Sequence, residues 1–365
     1  MAKNVFVLGA GASMHTGAPQ MSDFLDKARD VYFNGLCGEY YKPFFEIVFS
    51  AQASLQAAHS KSSLEIDNIE SLFSAFEMAK LLKSFPGNNT SINNIINSTK
   101  KLIIHTLENT TLFNYAPQKS AVFPSHTYAE FIRLINFIGT DDVAIITFNY
   151  DIALDFAVIR TDNYFPSYSI NTQGYGPRKP IKVYKLHGSL NWCRHDRKIF
   201  SLDDFQFTFE GSHPVIANID KYIAQRLNIQ RSKVNQLIVP PVWNKSKDYN
   251  ALAPVWIAAT KELENAENIF VIGYSMPDTD SFFKYLYSLG TISNIPIRRF
   301  HVFNPDISNI DNRFRKILGP GAEKRYKSYE STFNQAISII KDILSVKLPI
   351  GNKSPYIENP DILPR

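Results

Sequence analysis

Two residues of this chain have the side chains and settings for bond-breaking chemistry on a sugar or a water molecule. Asn149 lies in Thr147-Phe148-Asn149-Tyr150-Asp151, and His187 lies in Lys185-Leu186-His187-Gly188-Ser189. A neutral carboxamide both donates and accepts, so Asn149 can orient a hydroxyl or an attacking water without adding charge. An imidazole accepts a proton near neutral pH, which makes His187 the candidate base. A place for a nucleotide comes from a third stretch, where the apolar run Val5-Phe6-Val7-Leu8 ends in Gly9-Ala10-Gly11-Ala12-Ser13. Glycines at a strand-to-helix turn permit a sharp bend and the close approach of a pyrophosphate, with free N–H groups at the helix start facing its charge. The third glycine of the full dinucleotide fingerprint is missing at its usual spacing, although Gly17 follows.

Each of these residues could also serve structure alone. An Asn after a strand is often a helix cap, and Asp151 has the same option for a helix beginning near Ile152. A His before Gly-Ser can simply stabilise a turn. Taken singly, each is more often structural, and the elements that would carry the residues bear on the choice. Five short segments rich in Val, Ile or Phe cover residues 4 to 8, 143 to 148, 181 to 186, 268 to 272 and 299 to 303, each followed by a polar or Gly-containing turn. That pattern suits parallel strands buried on both faces by helices. Gly273-Tyr274-Ser275 and Asn304-Pro305-Asp306 follow the last two. Turns at the C-terminal ends of such strands share one sheet edge, where open α/β sheets bind ligands. Packing demand on His187 is expected to be low there. The fold class expected is α/β, with a Rossmann-like parallel sheet.

Residues 25 to 125 interrupt this pattern and read as an all-helical module over the pocket, or as ordinary helices packed on the sheet. Leu72, Phe73, Phe76, Ala79 and Leu82 recur at helical spacing, Pro86-Gly87-Asn88-Asn89 breaks the run, and Ile92, Ile95, Ile96, Ile103 and Leu107 resume it. Residues 160 to 180 and 195 to 250 are punctuated by prolines and read as less regular. Leu237-Ile238-Val239-Pro240-Pro241 resembles another strand ending at the pocket edge, and a helix near 331 to 345 closes the globule. The expected organisation is one domain over residues 1–345 and an extended tail over 346–365.

The net charge of +5 over 365 residues suits an anionic ligand, and it leaves direct nucleic-acid binding open. Arg313-Phe314-Arg315-Lys316 reads as a solvated helix face. Only Cys37 and Cys193 occur, too few for a disulfide framework or a four-thiolate zinc site. His105, His195, His213 and His301 show no acid or metal-ligand spacing, so a zinc or two-metal hydrolase is disfavoured and no metal is expected. The apolar runs are shorter than the ~20 residues of a membrane span, and the expectation is a soluble, cytoplasmic protein.

The five motifs, in this order and at these separations, resemble the sirtuin fold family over residues 4 to 306. The resemblance is closest to the bacterial sirtuin-like NAD-hydrolysing proteins of anti-phage defence systems. It implies a nicotinamide–ribose bond as target, NAD+ as substrate, and Asn149 and His187 as the catalytic pair. It further implies a cofactor-binding set of Gly9, Ala10, Gly11, Ala12, Ser13, Gly17, Pro19, Thr147, Asp151, Gly273, Tyr274, Ser275 and Asn304. His126 matches a family histidine of structural role, and His15 lies near enough to the glycine loop to approach phosphate. Residues 17 to 24, Gly-Ala-Pro-Gln-Met-Ser-Asp-Phe, depart from the family's Gly-Ile-Pro-Asp-Phe-Arg, so Asp23 and Phe24 stand as displaced equivalents or as the first turn of a helix. The missing cysteines argue against the family's zinc module and so against a protein deacylase. A non-catalytic nucleotide sensor and a nuclease subunit of a defence complex are less favoured functions that the sequence leaves open. The resemblance also implies a homo-oligomer that works with a HerA-type ATPase partner.

Overall fold

The computed structural model describes residues 2–344 apart from 58–63, 86–89, 162, 171–176, 197, 211–212, 217, 240–245, 278–281 and 293–294. The chain begins with β1 (Asn4–Leu8) and four helices, α1 (Phe24–Phe33), α2 (Gly38–Ala57), α3 (Ile69–Leu82) and α4 (Ile92–Thr110). A hairpin of β2 (Asn114–Ala116) and β3 (Ala121–Phe123) leads to α5 (His126–Ile138), β4 (Val143–Thr147), α6 (Ala153–Ile159), β5 (Tyr164–Ser167) and β6 (Lys179–Lys185). Next come β7 (Gly188–His195), β8 (Lys198–Ser201), β9 (Thr208–Glu210), β10 (His213–Val215), α7 (Ile219–Leu227) and β11 (Gln236–Ile238). The last part holds α8 (Ser246–Glu264), β12 (Asn268–Ile272), α9 (Phe282–Gly290), β13 (Arg299–Phe303), α10 (Ile307–Arg315), α11 (Pro320–Glu323), β14 (Tyr326–Tyr329) and α12 (Phe333–Ile343).

Seven strands form one sheet in the order β14-β13-β12-β1-β4-β6-β5, and every neighbouring pair is parallel. The fold is therefore the expected α/β arrangement. β1, β4 and β12 are buried along their whole length, which is why they read as unbroken apolar runs. Chain order reverses at β1: the path first runs outward through β4 and β6, then returns to build β12, β13 and β14 on the other side. Such a reversal opens a crevice at the C-terminal strand ends.

Within this sheet the two strands not anticipated, β5 and β14, are its edges. β5 contains Pro166, which an edge tolerates because one side of the strand needs no ladder bonds. The segment around Leu237 is a strand, but β11 pairs antiparallel with β7 in a separate three-stranded sheet with β8. Its Pro240-Pro241 end, the Pro86–Asn89 break and the 346–365 tail lie outside the described residues.

The helical insertion has its own core. Phe45, Leu72, Phe76 and Leu102 cluster with Tyr150, Ile152 and Leu190, chain neighbours of the two candidate catalytic residues. Asn68 starts α3 by accepting from the main-chain N–H of Glu70 (2.9 Å) and Ser71 (3.2 Å). A Thr332–Gln335 capping box starts α12. The expectation that His105, His195, His213 and His301 have no acid partner needs correction at two of them: His195 Nε2 lies 3.3 Å from Asp196 Oδ2. His105 also has an acid partner: its Nδ1 lies 3.0 Å from Glu108 Oε2, one helical turn on, and its ring stacks on Tyr41 at 3.8 Å. Glu108 also accepts from the main-chain N–H of Ile219 (2.8 Å) and Asn218 (3.2 Å), so the cluster ties α4 to the start of α7.

Candidate functional site

A cavity of about 640 Å³ lies at the C-terminal edge of the sheet, at the reversal of strand order. The loops after β1, β4, β6, β12 and β13 all reach its wall, contributing Gly11 and Ser13, Asn149 and Asp151, His187, Tyr274, and Asn304. Facing them are Pro19 and Phe24 before and at the start of α1, with Asn68 and Glu70 at the start of α3. Residues 25 to 125 thus contribute to the cavity lining, and they are not all-helical, since β2 and β3 fall among them.

The glycine loop is built differently from expectation. No long helix follows β1; the chain makes two short turns of 3-10 helix, Ala10–Ala12 and Met14–Thr16, and α1 starts only at Phe24. Most loop amides are already engaged within the protein. Gly9 donates to Ile272 O (3.0 Å), Gly11 to Gly273 O (2.9 Å), Ala12 to Gly9 O (2.9 Å) and Ser13 to Ala10 O (3.0 Å). The glycines serve this loop-to-loop contact. A Cβ on Gly9 would fall 2.5 Å from Tyr274 Cα, and one on Gly273, which holds a φ of +61°, would fall 2.4 Å from Ala12 N. Gly273→Ala is therefore expected to destabilise the fold by about 3 kcal/mol, from overpacking plus left-handed strain. Urea titration checks this beside Gly319→Ala, which meets no atom within 4 Å and should be nearly silent.

Asn149 joins the loops after β1 and β4. Its Nδ2 donates to Gly9 O at 2.9 Å and to Ser13 Oγ at 3.0 Å, and Ser13 Oγ lies 2.7 Å from the Tyr128 hydroxyl. Its main-chain N–H donates to Thr147 Oγ1 at 3.1 Å, so Thr147 shapes the turn from behind the wall. Asp151 Oδ1 accepts from Ala153 N–H at 3.0 Å, one residue ahead of the α6 N-cap position, which is Ile152. Asp151 also lies on the wall. Burial pushes its carboxyl up, against the opposing pull of the Lys185 ammonium.

His187 is only 3% exposed. Its ring sits against Phe148 (5.3 Å between centroids) and Tyr150 (6.1 Å), and Phe148 stacks on Tyr274 at 4.4 Å. Low packing demand at His187 is thus not what the structure shows: the residue is part of an aromatic wall. Its main-chain carbonyl accepts from Val239 N–H at 2.9 Å, fixing the turn from the β11 side.

Ala10, Pro19, Gly273 and Ser275 also line the cavity, whereas Gly9, Ala12, Gly17 and Thr147 stand behind it. Asn304 Oδ1 accepts from Asp306 N–H at 2.9 Å, closing the turn after β13. Phe24 is on the wall, while Asp23 accepts from Gln20 N–H at 2.7 Å instead. His15 bonds Ser125 Oγ at 2.7 Å and is not on the wall; His126 starts α5. Sequence reasoning missed Arg313, which reaches the wall and donates to Ser275 O at 3.3 Å, while Arg315 pairs on the surface with Asp311 at 2.6 Å. Periodicity alone does not separate the two, because which of them faces the cavity depends on how α10 docks. Among the described residues no group of three or more His, Cys, Asp or Glu is placed to hold a metal ion. No described helix is long and apolar enough to cross a membrane.

No family model matches the chain, and no curated protein matches it. Among solved structures it is similar to a Sir2 homologue in complex with NAD, at 15% identity over 93% of this chain and 90% of that one, with a TM-score of 0.37. It is similar to Sir2 bound to an acetylated peptide at 12% identity over 94% of each chain, with a TM-score of 0.39. A mutant Sir2 homologue complexed with 2'-O-acetyl ADP-ribose aligns at 16% identity over 95% of this chain and 94% of that one, with a TM-score of 0.38.

Proposed function

We propose that the protein hydrolyses NAD+ at the nicotinamide–ribose bond, giving nicotinamide and ADP-ribose. The observation that carries this reading is the convergence of the glycine loop, Asn149 and His187 on one cavity at the strand-order reversal. Nicotinamide in NAD+ is already a cationic leaving group, so the protein has little covalent work to do. It must hold the dinucleotide bent, shield the ribose and place a polar group and a base beside it. Asn149 supplies the amide and His187 the base. The Phe148, Tyr150 and Tyr274 rings keep bulk water from the reacting end while leaving the one water that His187 activates, and the Asp151 carboxylate favours positive charge developing on the ribose. The loops at Gly273 and Asn304 take the phosphates and the adenosine end, with Arg313 as a cation at that wall.

Under this reading the protein is an NAD-depleting effector of anti-phage defence, active as a homo-oligomer and with a HerA-type ATPase partner. That part is supported by the motif resemblance. The test is to incubate pure protein with NAD+ over a range of protein concentrations and separate the products by chromatography. Nicotinamide and ADP-ribose in equal amounts, released faster as the protein assembles, are expected. Absence of nicotinamide release at every concentration, with or without the partner, would overturn the reading.

A further inference from the structure

Directly behind the cavity wall, Lys185 ends β6 with its side chain 1% exposed. Its Nζ donates to the main-chain carbonyl of Asp151 at 2.6 Å and to Asp155 Oδ2 at 2.8 Å. Asp155 is fully buried, and the Tyr168 hydroxyl donates to its other carboxylate oxygen. An ion pair sealed in this way seldom adds net stability. Desolvating the two ions costs about what their attraction returns, and apolar side chains of similar volume do as well or better. The location of the pair is more informative than its energy. Lys185 stands two residues before His187, and the carbonyl it holds belongs to Asp151, two residues after Asn149.

We infer that Lys185 is a positioning residue: its ammonium, anchored on Asp155, clamps the Asn149–Asp151 turn to the strand end that presents His187. One cation thereby sets the separation of the two groups assigned to the chemistry. The same ammonium is the chief charge offsetting the Asp151 carboxylate. The other groups around that carboxylate are Asp155 on α6, Ser13 after β1, Tyr128 on α5 and the main-chain N–H of Ala153. This role rests on the NAD+ reading, because NAD+ turnover is its readout.

The test replaces the whole buried network by apolar side chains, in Lys185→Met/Asp155→Leu/Tyr168→Phe. A merely structural role predicts that turnover recovers along with stability. A positioning role predicts a melting temperature close to wild type with kcat lower by about 100-fold, the scale expected for misplaced reacting groups, and a much smaller change in KM. Lys185→Arg, which keeps the cation, is expected to retain more turnover than Lys185→Met. Wild-type kcat in the stable triple variant overturns the proposal. If that variant melts below the assay temperature, Asp155→Asn decides. It keeps the volume and an acceptor for Tyr168 but leaves the buried ammonium without its counter-charge, so the melting temperature falls, and kcat is therefore compared with wild type at a temperature where the melt shows both proteins folded; a lower kcat there supports the clamp, and wild-type kcat there is equally fatal. A wild-type protein that never releases nicotinamide sinks the proposed function itself, an outcome distinct from these.

Discussion

His187→Ala should abolish nicotinamide release, lowering kcat by about 1,000-fold, within the range by which a positioned base accelerates proton transfer. NAD+ should still bind, because the proposed function assigns the phosphate and adenosine contacts to the other loops. The residue is 3% exposed and packed against two rings, so the alanine also leaves a void. Large-to-small changes in such settings cost about 2 kcal/mol or more, so unfolding would contribute to the loss of activity. His187→Gln separates the two effects, since it keeps most of the volume and some hydrogen bonding but cannot act as a base at neutral pH. Single-turnover nicotinamide release, read beside a thermal melt, measures both. Wild-type release by a folded His187→Gln protein would remove His187 from the chemistry.

Asn149→Ala should lower kcat by about 100-fold and also weaken NAD+ binding several-fold, the first because orientation counts in the transition state. The second effect comes from the structure. The amide is bonded to Gly9 O and Ser13 Oγ, so removing it frees the glycine loop as well as the reacting end. Ser13→Ala isolates part of that contribution: it keeps the amide and its bond to Gly9 O but removes the Ser13 hydroxyl that links the amide to Tyr128. Residues in one hydrogen-bond network are not additive, so the double variant should lose less than the sum of the two single losses. A fully additive result would mean that Asn149 and Ser13 act independently, whereas a rise in KM with kcat unchanged in Asn149→Ala would make Asn149 a binding residue only.

Burial decides which parts of this molecule are legible in its sequence. β1, β4 and β12 are covered on both faces, so they appear as plain apolar runs with a turn at the end, and the turns carry the site. The edge strands β5 and β14 face less demand, which leaves room for Pro166 in one and for Lys327 and Ser328 in the other. Singling out Asn149 and His187 needs no tertiary information, since each stands just past the end of a strand. The glycines mislead in part, and the reason is physical. A glycine required by a ligand and one required by a neighbouring backbone look the same in sequence, and only the position of Gly273 tells them apart. Lys185 and Arg313 are illegible for a related reason. A lysine ending a strand is most often solvated, and nothing local reports that Asp155 waits beneath it.

The contact between Gly9, Gly11 and Gly273 makes the two halves of the pocket a single mechanical part. One loop comes from the centre of the sheet and the other from the strand laid down beside it about 260 residues later, yet they meet backbone to backbone with no side chain to yield between them. A pocket joined in this way cannot breathe one half at a time: opening at the Gly273 end must drag the floor beneath Asn149 with it. The pocket should therefore meet its ligand already formed, with little ordering left to do on binding. Hydrogen exchange at the Gly11 and Gly273 amides should then be slow before any ligand is added and change little afterwards, while the helical roof at Asn68 and Glu70 takes up whatever movement entry requires.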